Sequence, residues 1–446
     1  MKSKKKVKRV INKQKIFCFI SFIFLTICCL WYGGRAIYFY LDTRKTVENK
    51  DKLLAQTIID KNYDTDNFKK INSDYYFYKD AKNNYLIYSN IIFRIVKITK
   101  DNEIVLVSDT PITSLAYGEN KTLKNSYITK WLNEDTNSNT GILENNLNNK
   151  EKYLMKTETC TDNVKNIKNI TCKKIIDDNY LSLLSVVDYI NTGSTASFIN
   201  NGYYTYLANN DNKENIWYIN DEGKLDTSDG TDIYGVKAAI TIKPTISLIS
   251  GNGSKDSPYI IEDKNVYFAS FVKLGNDTWQ VYEASDTTLK LVLNDYLKIN
   301  DENLEYIYSN NNYFHNDSKY GSLAYYLNHR YLNSLTYKDL IIDNEYSNNY
   351  YGEENKYNYQ NTLEKTINTK VATLSIGNPI LNSTLNNYFT STGINSSDSS
   401  VYVLKSDATI EEVDVDEEAY VVPCISILKE NLKVGSGTID DPYRTE

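Results

Sequence analysis

Aromatic and amide side chains gather just ahead of a turn signal in the first half of this 446-residue chain. Tyr203, Tyr204, Tyr206 and Trp217 flank Asn209 and Asn210. Aromatic rings stack on sugars and peptide groups, and each Asn amide offers paired donors and an acceptor. That combination suits non-covalent recognition of a carbohydrate, a peptide or a partner surface. The chain holds 40 Tyr and is rich in Asn throughout, so a core or rim role fits the same residues.

Other chemistries are poorly supplied. His315 and His329 are the only histidines, which excludes a multi-His metal centre and leaves little for a His-driven proton shuttle. Cys160 and Cys172 enclose TDNVKNIKNIT. With no second Cys pair and no His nearby, the spacing fits a structural disulfide rather than zinc, and closing so short a loop contributes roughly 3 kcal/mol in the chain-entropy picture. Cys424 reads as a buried free thiol without a base close in sequence. Asp226–Asp232 carries oxygen ligands, but its Gly230 is misplaced for an EF-hand, so a solvated loop is expected. Glu411–Glu418 alternates charge with Val as an exposed strand face does. No metal and no cofactor is expected, and the reading points away from an enzyme.

These residues must be positioned by a duplicated unit. Gly251-Asn-Gly-Ser-Lys-Asp-Ser-Pro-Tyr259 parallels Gly435-Ser-Gly-Thr-Ile-Asp-Asp-Pro-Tyr443, and Pro244-Thr-Ile-Ser-Leu248 resembles Pro423-Cys-Ile-Ser-Ile427. Trp131-Leu-Asn133 matches Tyr326-Leu-Asn328, Leu184-Ser185-Val186 matches Leu374-Ser375-Ile376, and Phe93–Ile98 matches Trp279–Ala284. The order holds and the offset drifts around 185, far above solenoid periods. Two copies of an α+β domain are expected, at 75–262 and 263–446. Each opens with a strand pair. Helices follow at 126–133, at 141–156 (331–342 in the second copy) and from Ser185, where Ser-x-x-Asp188 forms a capping box. Pro379 falls in the first turn of that last helix's counterpart. A hairpin turning at Asp221-Glu-Gly223 and the Pro-x-Ile-Ser strand close the unit.

Asn84-Tyr-Leu-Ile-Tyr-Ser-Asn-Ile-Ile-Phe-Arg-Ile-Val-Lys-Ile98, Ser126…Trp131-Leu-Asn133, the Leu183-Leu-Ser185 helix start, Asn220-Asp-Glu-Gly-Lys-Leu225 and the closing G-x-G-[ST]-x-D-x-P-Y together resemble a bacterial surface-module family, the domain of unknown function of the 6273 type. The helix-then-hairpin ending is similar, more distantly, to C-type-lectin-like folds, which place ligand loops where Tyr203–Asn210 fall. The resemblance implies an architecture and a surface role but no mechanism. This chain departs from the family in carrying Gly202-Tyr-Tyr-Thr-Tyr-Leu-Ala-Asn209 in place of a W-W-x-R-S-P element, and Phe93 where Trp is usual.

Before the copies, residues 1–15 carry only positive charges and 16–41 are apolar apart from Arg35. At about 1.5 Å per residue such a stretch spans a bilayer core, so an uncleaved transmembrane anchor with a cytoplasmic N-terminus and an extracellular bulk is expected. Cys18, Cys28 and Cys29 would be plain apolar residues within it, and 42–74 would be a stalk. Residues 1–41 hold nine of the 50 basic residues and none of the 57 acidic ones, so the remainder carries a net charge of about −16 and does not attract nucleic acid. Lys far outnumbers Arg, a skew that follows A/T-rich codons and points to a low-GC bacterium. The expected function is a membrane-anchored extracellular binding or adhesion-type protein. The alternative is an assembly component of the cell envelope without a small ligand.

Overall fold

The computed structural model describes residues 52–133, 141–168, 170–211, 213–262, 266–309, 314, 321–347, 350–351, 366–380, 385–394 and 397–446. Strands hold 39% of the described residues and helices 15%. This corrects the expected α+β class to a mainly β architecture with short helices. The strands of the first half are β1 (Phe68–Ile71), β2 (Asp74–Phe77), β3 (Tyr85–Tyr88), β4 (Ile91–Ile98), β5 (Ile104–Ser108), β6 (Thr113–Ala116), β7 (Leu154–Met155), β8 (Thr159–Cys160), β9 (Ile175–Ile176) and β10 (Leu181–Leu183). After these come β11 (Thr205–Asn210), β12 (Ile216–Ile219), β13 (Leu225–Ser228), β14 (Ile233–Val236), β15 (Ala238–Ile242) and β16 (Tyr259–Ile260). One sheet runs β1-β2-β4-β5-β15-β10, with β3 beside β4, β16 beside β3 and β7 on β15. The other runs β13-β12-β11-β14-β6, its β11–β14 pair parallel. Ile104–Ser108 and Ala238–Ile242 are buried at every position, as their mostly apolar residues allow.

The second half repeats this plan. Its strands are β17 (Phe271–Leu274), β18 (Asp277–Ala284), β19 (Thr288–Leu293), a small hairpin of β20 (Lys298–Ile299) and β21 (Glu302–Asn303), β22 (Glu305–Ile307), β23 (Asn344–Ser347), β24 (Tyr350–Tyr351) and β25 (Thr366–Thr369). The last six are β26 (Val371–Thr373), β27 (Tyr388–Ile394), β28 (Ser397–Leu404), β29 (Ile410–Asp414), β30 (Glu418–Tyr420) and β31 (Pro423–Leu428). The sheets are β17-β18-β19-β31-β26 and β29-β28-β27-β30-β22 with β24 beside β27, the latter with two parallel pairs, β27–β30 and β24–β27. Irregularities coincide too: β4–β5 slips register between Ile95 and Lys97, and β18–β19 between Val281 and Glu283. Asn133 bridges Thr129 O, Leu181 O and Leu181 N, and Asn328 makes the same three bonds with Ala324 and Val371.

The register shifts one sequence match. β31 pairs with β19 and β26 as β15 pairs with β5 and β10. Pro423–Ile427 therefore corresponds to Ala238–Ile242, and Cys424 to Ala239 rather than Thr245. Pro244–Leu248 forms no strand beyond one bridge at Ser247. Other local expectations also differ. In place of a helix over 141–156 stand short turns at Glu144–Asn146 and Lys150–Tyr153. Residues 331–342 likewise hold only Leu332–Ser334 and Lys338–Leu340 beyond the preceding helix, and Pro379 sits in a turn rather than a helix.

The part of the expected stalk that is described belongs to the first core. Helix Leu54–Asn62 buries Leu54, Ala55 and Ile58, and β1 and β2 join the sheet. The predicted anchor 16–41, with Cys18, Cys28 and Cys29, lies outside the described residues. Among the described residues no helix is long and apolar enough to cross a membrane, so the single-pass membrane placement finds no support.

Residues Leu53–Glu446 form one compact unit. Each half has its own core, and a small third cluster joins them through Ala116, Ile233 and Ile376. Trp131 Nε1 donates to Gly377 O (2.8 Å), Thr113 Oγ1 to Asn378 O (2.8 Å) and Ser114 Oγ to Ala408 O (2.7 Å).

Candidate functional site

The aromatic and amide residues singled out by sequence divide between core and surface. Tyr206 is buried and donates to Asp232 O (2.8 Å). Tyr204 is half-buried in a cluster with Tyr218 and Tyr234, at ring-centroid distances of 6.2 and 5.3 Å. Tyr203 is half-buried, 5.4 Å from the Lys237 ammonium. Trp217 Nε1 donates to Val164 O (3.2 Å) and Asn210 Nδ2 to Lys121 O (2.7 Å). Asn209 is fully buried. Its Oδ1 accepts from Val186 N, and its Nδ2 donates to Cys160 O and Asp162 O. Asn209 thus ties a helix start to the disulfide loop and acts as a positioning residue.

What it positions is a cleft of about 560 Å³ that sequence reasoning missed. The floor is one row across the first sheet. Tyr76 lies opposite Lys97, Lys97 opposite Val105, Val105 opposite Thr241, and Thr241 opposite Met155. Cross-strand partners share a face, so these side chains point the same way. The helix Val186–Asn191 and the loop bearing Cys160 and Cys172 form walls. The two cysteines are disulfide-bonded, with Cα atoms 5.7 Å apart.

At the base lies a buried network. Asp188 Oδ1 accepts from Lys97 Nζ (2.8 Å) and from Tyr76 Oη (2.8 Å), and its Oδ2 accepts from Ser185 Oγ (2.7 Å). Ser185 Oγ caps the helix by accepting from Asp188 N (3.0 Å). The expected capping box therefore forms on the Ser side, while the Asp carboxylate turns to the lysine. Burial alone would lift the Asp188 carboxyl, but the Lys97 charge and its three donors hold it below the usual range. Burial alone would lower the Lys97 ammonium, but Asp188 and Tyr76 raise it. Tyr76 is raised by burial and then by Asp188. All three thus keep fixed protonation states at neutral pH: a rigid charged base, not a proton-transfer pair.

The second half closes the corresponding place. Ser426 stands where Thr241 stands, and its Oγ is engaged by Tyr346 Oη (2.8 Å) and Asn344 Nδ2 (3.0 Å). Lys290 stands where Val105 stands. It pairs with Glu283 (3.0 Å) and lies 5.8 Å from the Tyr346 ring centroid. A different cleft of about 500 Å³ opens elsewhere on this half, beside Asp277, Tyr296 and Tyr331.

The remaining candidates are accounted for locally. Cys424 is a buried free thiol, its pKa pushed up by burial. His329 is exposed and stacked on Tyr325, with ring centroids 4.4 Å apart, while His315 lies outside the described residues. In the Asp226–Asp232 loop, Asp226 and Asp229 accept from backbone N–H groups and Asp232 from Ser228. Among the described residues, Cys160, Asp162 and Cys172 form the one metal-sized grouping. There the sulfurs bond each other and Asp162 accepts from Lys173 N and Lys174 N. Lys237 is buried beside the Arg94–Asp109 ion pair (3.2 Å), its ammonium donating to Ile199 O and Asn201 Oδ1. Burial pushes its pKa down to about 7. Comparison with known proteins finds no family model that matches the chain, no similar curated protein and no similar solved structure.

Proposed function

We propose that the chain is a binding protein of two tandem, diverged β modules, in which the first module receives a polar ligand, a carbohydrate or a peptide. The observation that carries this reading is the cleft over the Tyr76–Lys97–Val105–Thr241 row. Its volume suits a small ligand or a side-chain-sized epitope. Its base is held rigid by Asp188, so polar groups are presented without ordering cost on binding. The disulfide and Asn209 fix the opposite wall. Repetition of the fold with the second cleft position filled supports division of labour, one module binding and the other serving as a scaffold. The test is binding of the full chain to glycan and peptide arrays, in parallel with a Val105→Trp variant that fills the cleft. Hits lost in the variant while its melting temperature is retained support the reading. Hits that survive in Val105→Trp, or an absence of hits in both, overturn it.

A further inference from the structure

The two modules differ most informatively where they should be alike. In the second, the row position after Glu283 is Lys290, and the next hydroxyl, Ser426, is hydrogen-bonded by Tyr346 and Asn344. In the first, the equivalent of Lys290 is Val105. The equivalent of Ser426 is Thr241, which is 3% exposed, lines the cleft, and has an Oγ1 without a hydrogen-bond partner. A buried hydroxyl left unpaired costs about 1–3 kcal/mol, so its persistence at the cleft floor needs a reason.

Charge supplies one. Lys97 is spent on Asp188, and Lys100 on Asp101 (2.9 Å). Asp74, Glu103 and Glu158 then line the cleft against the ammonium of Lys156, which sits 4.0 Å over the Tyr180 ring. Glu103 immediately precedes β5 and lines the cleft with Val105. Burial first, then the neighbouring Glu158 and Asp101, raise its carboxyl pKa against the Thr99 hydroxyl and the Lys100 charge.

We infer that the first module's cleft takes a ligand bearing a primary ammonium group, which places a cation beside Glu103, Glu158 and Thr241. The inference rests on the cleft reading proposed above and narrows its ligand class. An amino sugar with free amines and a lysine-bearing peptide both carry this group.

Calorimetric titration of the full chain with a glucosamine tetramer, a trilysine peptide and the fully N-acetylated tetramer tests it. At least one amine probe is expected to bind, with the tighter one identifying the source. The acetylated tetramer, which has lost its charge, is expected to bind about tenfold more weakly or worse. Glu103→Gln/Glu158→Gln is expected to lower amine affinity about tenfold, and Val105→Lys, which installs the second module's own cation, to abolish it. Equal affinity for free and acetylated tetramers, unchanged amine affinity in the double Gln variant, or no amine binding overturns the inference. If the acetylated tetramer binds as well and is lost in Val105→Trp, the cleft reading stands and only the charge requirement falls. Amine binding that survives Val105→Trp removes both.

Discussion

Lys97 and Asp188 meet from strand and helix 91 residues apart, and their side chains are only 16% and 9% exposed. A buried pair gains little over an apolar pair of the same shape, yet removing one partner strands a charge. Lys97→Met or Asp188→Asn alone is therefore expected to cost about 3–5 kcal/mol, and the double variant much less than the sum. Urea unfolding of the four proteins measures this, and additive losses would refute the coupling. The pH dependence follows from the directions of the shifts. Asp188 is lowered from 3.8, so its contribution is present above that value and lost as pH falls through the lower folded value. Lys97 is raised from 10.5, so its contribution is present below that value and lost as pH rises through the higher folded one. Urea unfolding of the wild type should therefore show the pair's contribution level from about pH 5 to 9 and falling outside that window. Sequence showed Ser185 and Asp188 as a capping pair, because that spacing is local. It could not show the carboxylate's second engagement, since strand register alone brings Lys97 there. The internal engagement of Tyr206 and Asn209 was hidden for a related reason. Residue type announces hydrogen-bonding capacity, and only the fold shows that Asp232, Val186 and Cys160 have already used it.

At the scale of elements, the closing G-x-G turn shows why one motif survives divergence. Gly251 and Gly435 have φ of +92° and +98°, and a Cβ on either would overlap the carbonyl oxygen of Pro258 or Pro442. Gly253 and Gly437 in the same way leave room only for the rings of Tyr259 and Tyr443. The turn brings β16 beside β3 and Tyr443 beside Val272, so each module's end is laid parallel to an early strand of the same module. Gly202 is a natural control, with φ +89° and nothing within 4 Å of its added Cβ. Gly202→Ala should cost only the left-handed penalty of about 1–2 kcal/mol. Gly251→Ala and Gly435→Ala should cost clearly more, because backbone must also move. Equal losses in thermal unfolding would show that the close approach carries no weight. This turn was legible in sequence because its chemistry lies within nine residues. The balance of strand to helix was not. Mixed polar and apolar stretches such as 141–156 suit either element by composition, and here tertiary pairing drew Leu154 and Met155 into the sheet.

The whole molecule is more than a pair of tethered copies. The turn Ile376–Ile380 of the second module packs on the first, with Ile376 and Ile380 each 6% exposed and Ile380 N donating to Ile112 O (2.5 Å). Tyr204 N also donates to Asp407 O (3.0 Å), which anchors the tyrosine cluster at this junction. The contact is heterologous: the turn after β26 meets β6 and the Tyr127–Leu132 helix, not its own equivalent. Residues 376–380 form a turn, whereas the first module forms Val186–Asn191 at the same point and uses it to carry Asp188. Divergence at one position in the fold has thus given one module a cleft wall and the other a turn packed against its neighbour. Because the junction is apolar and its hydrogen bonds are shielded, the modules should unfold together in a single calorimetric transition. Ile376→Asp would bury an unpaired carboxylate there, and the expected result is two resolved transitions, the second module melting first for want of its covered turn. Two transitions in the unmodified chain, or one unchanged transition in Ile376→Asp, would mean that the junction transmits no stability between the modules.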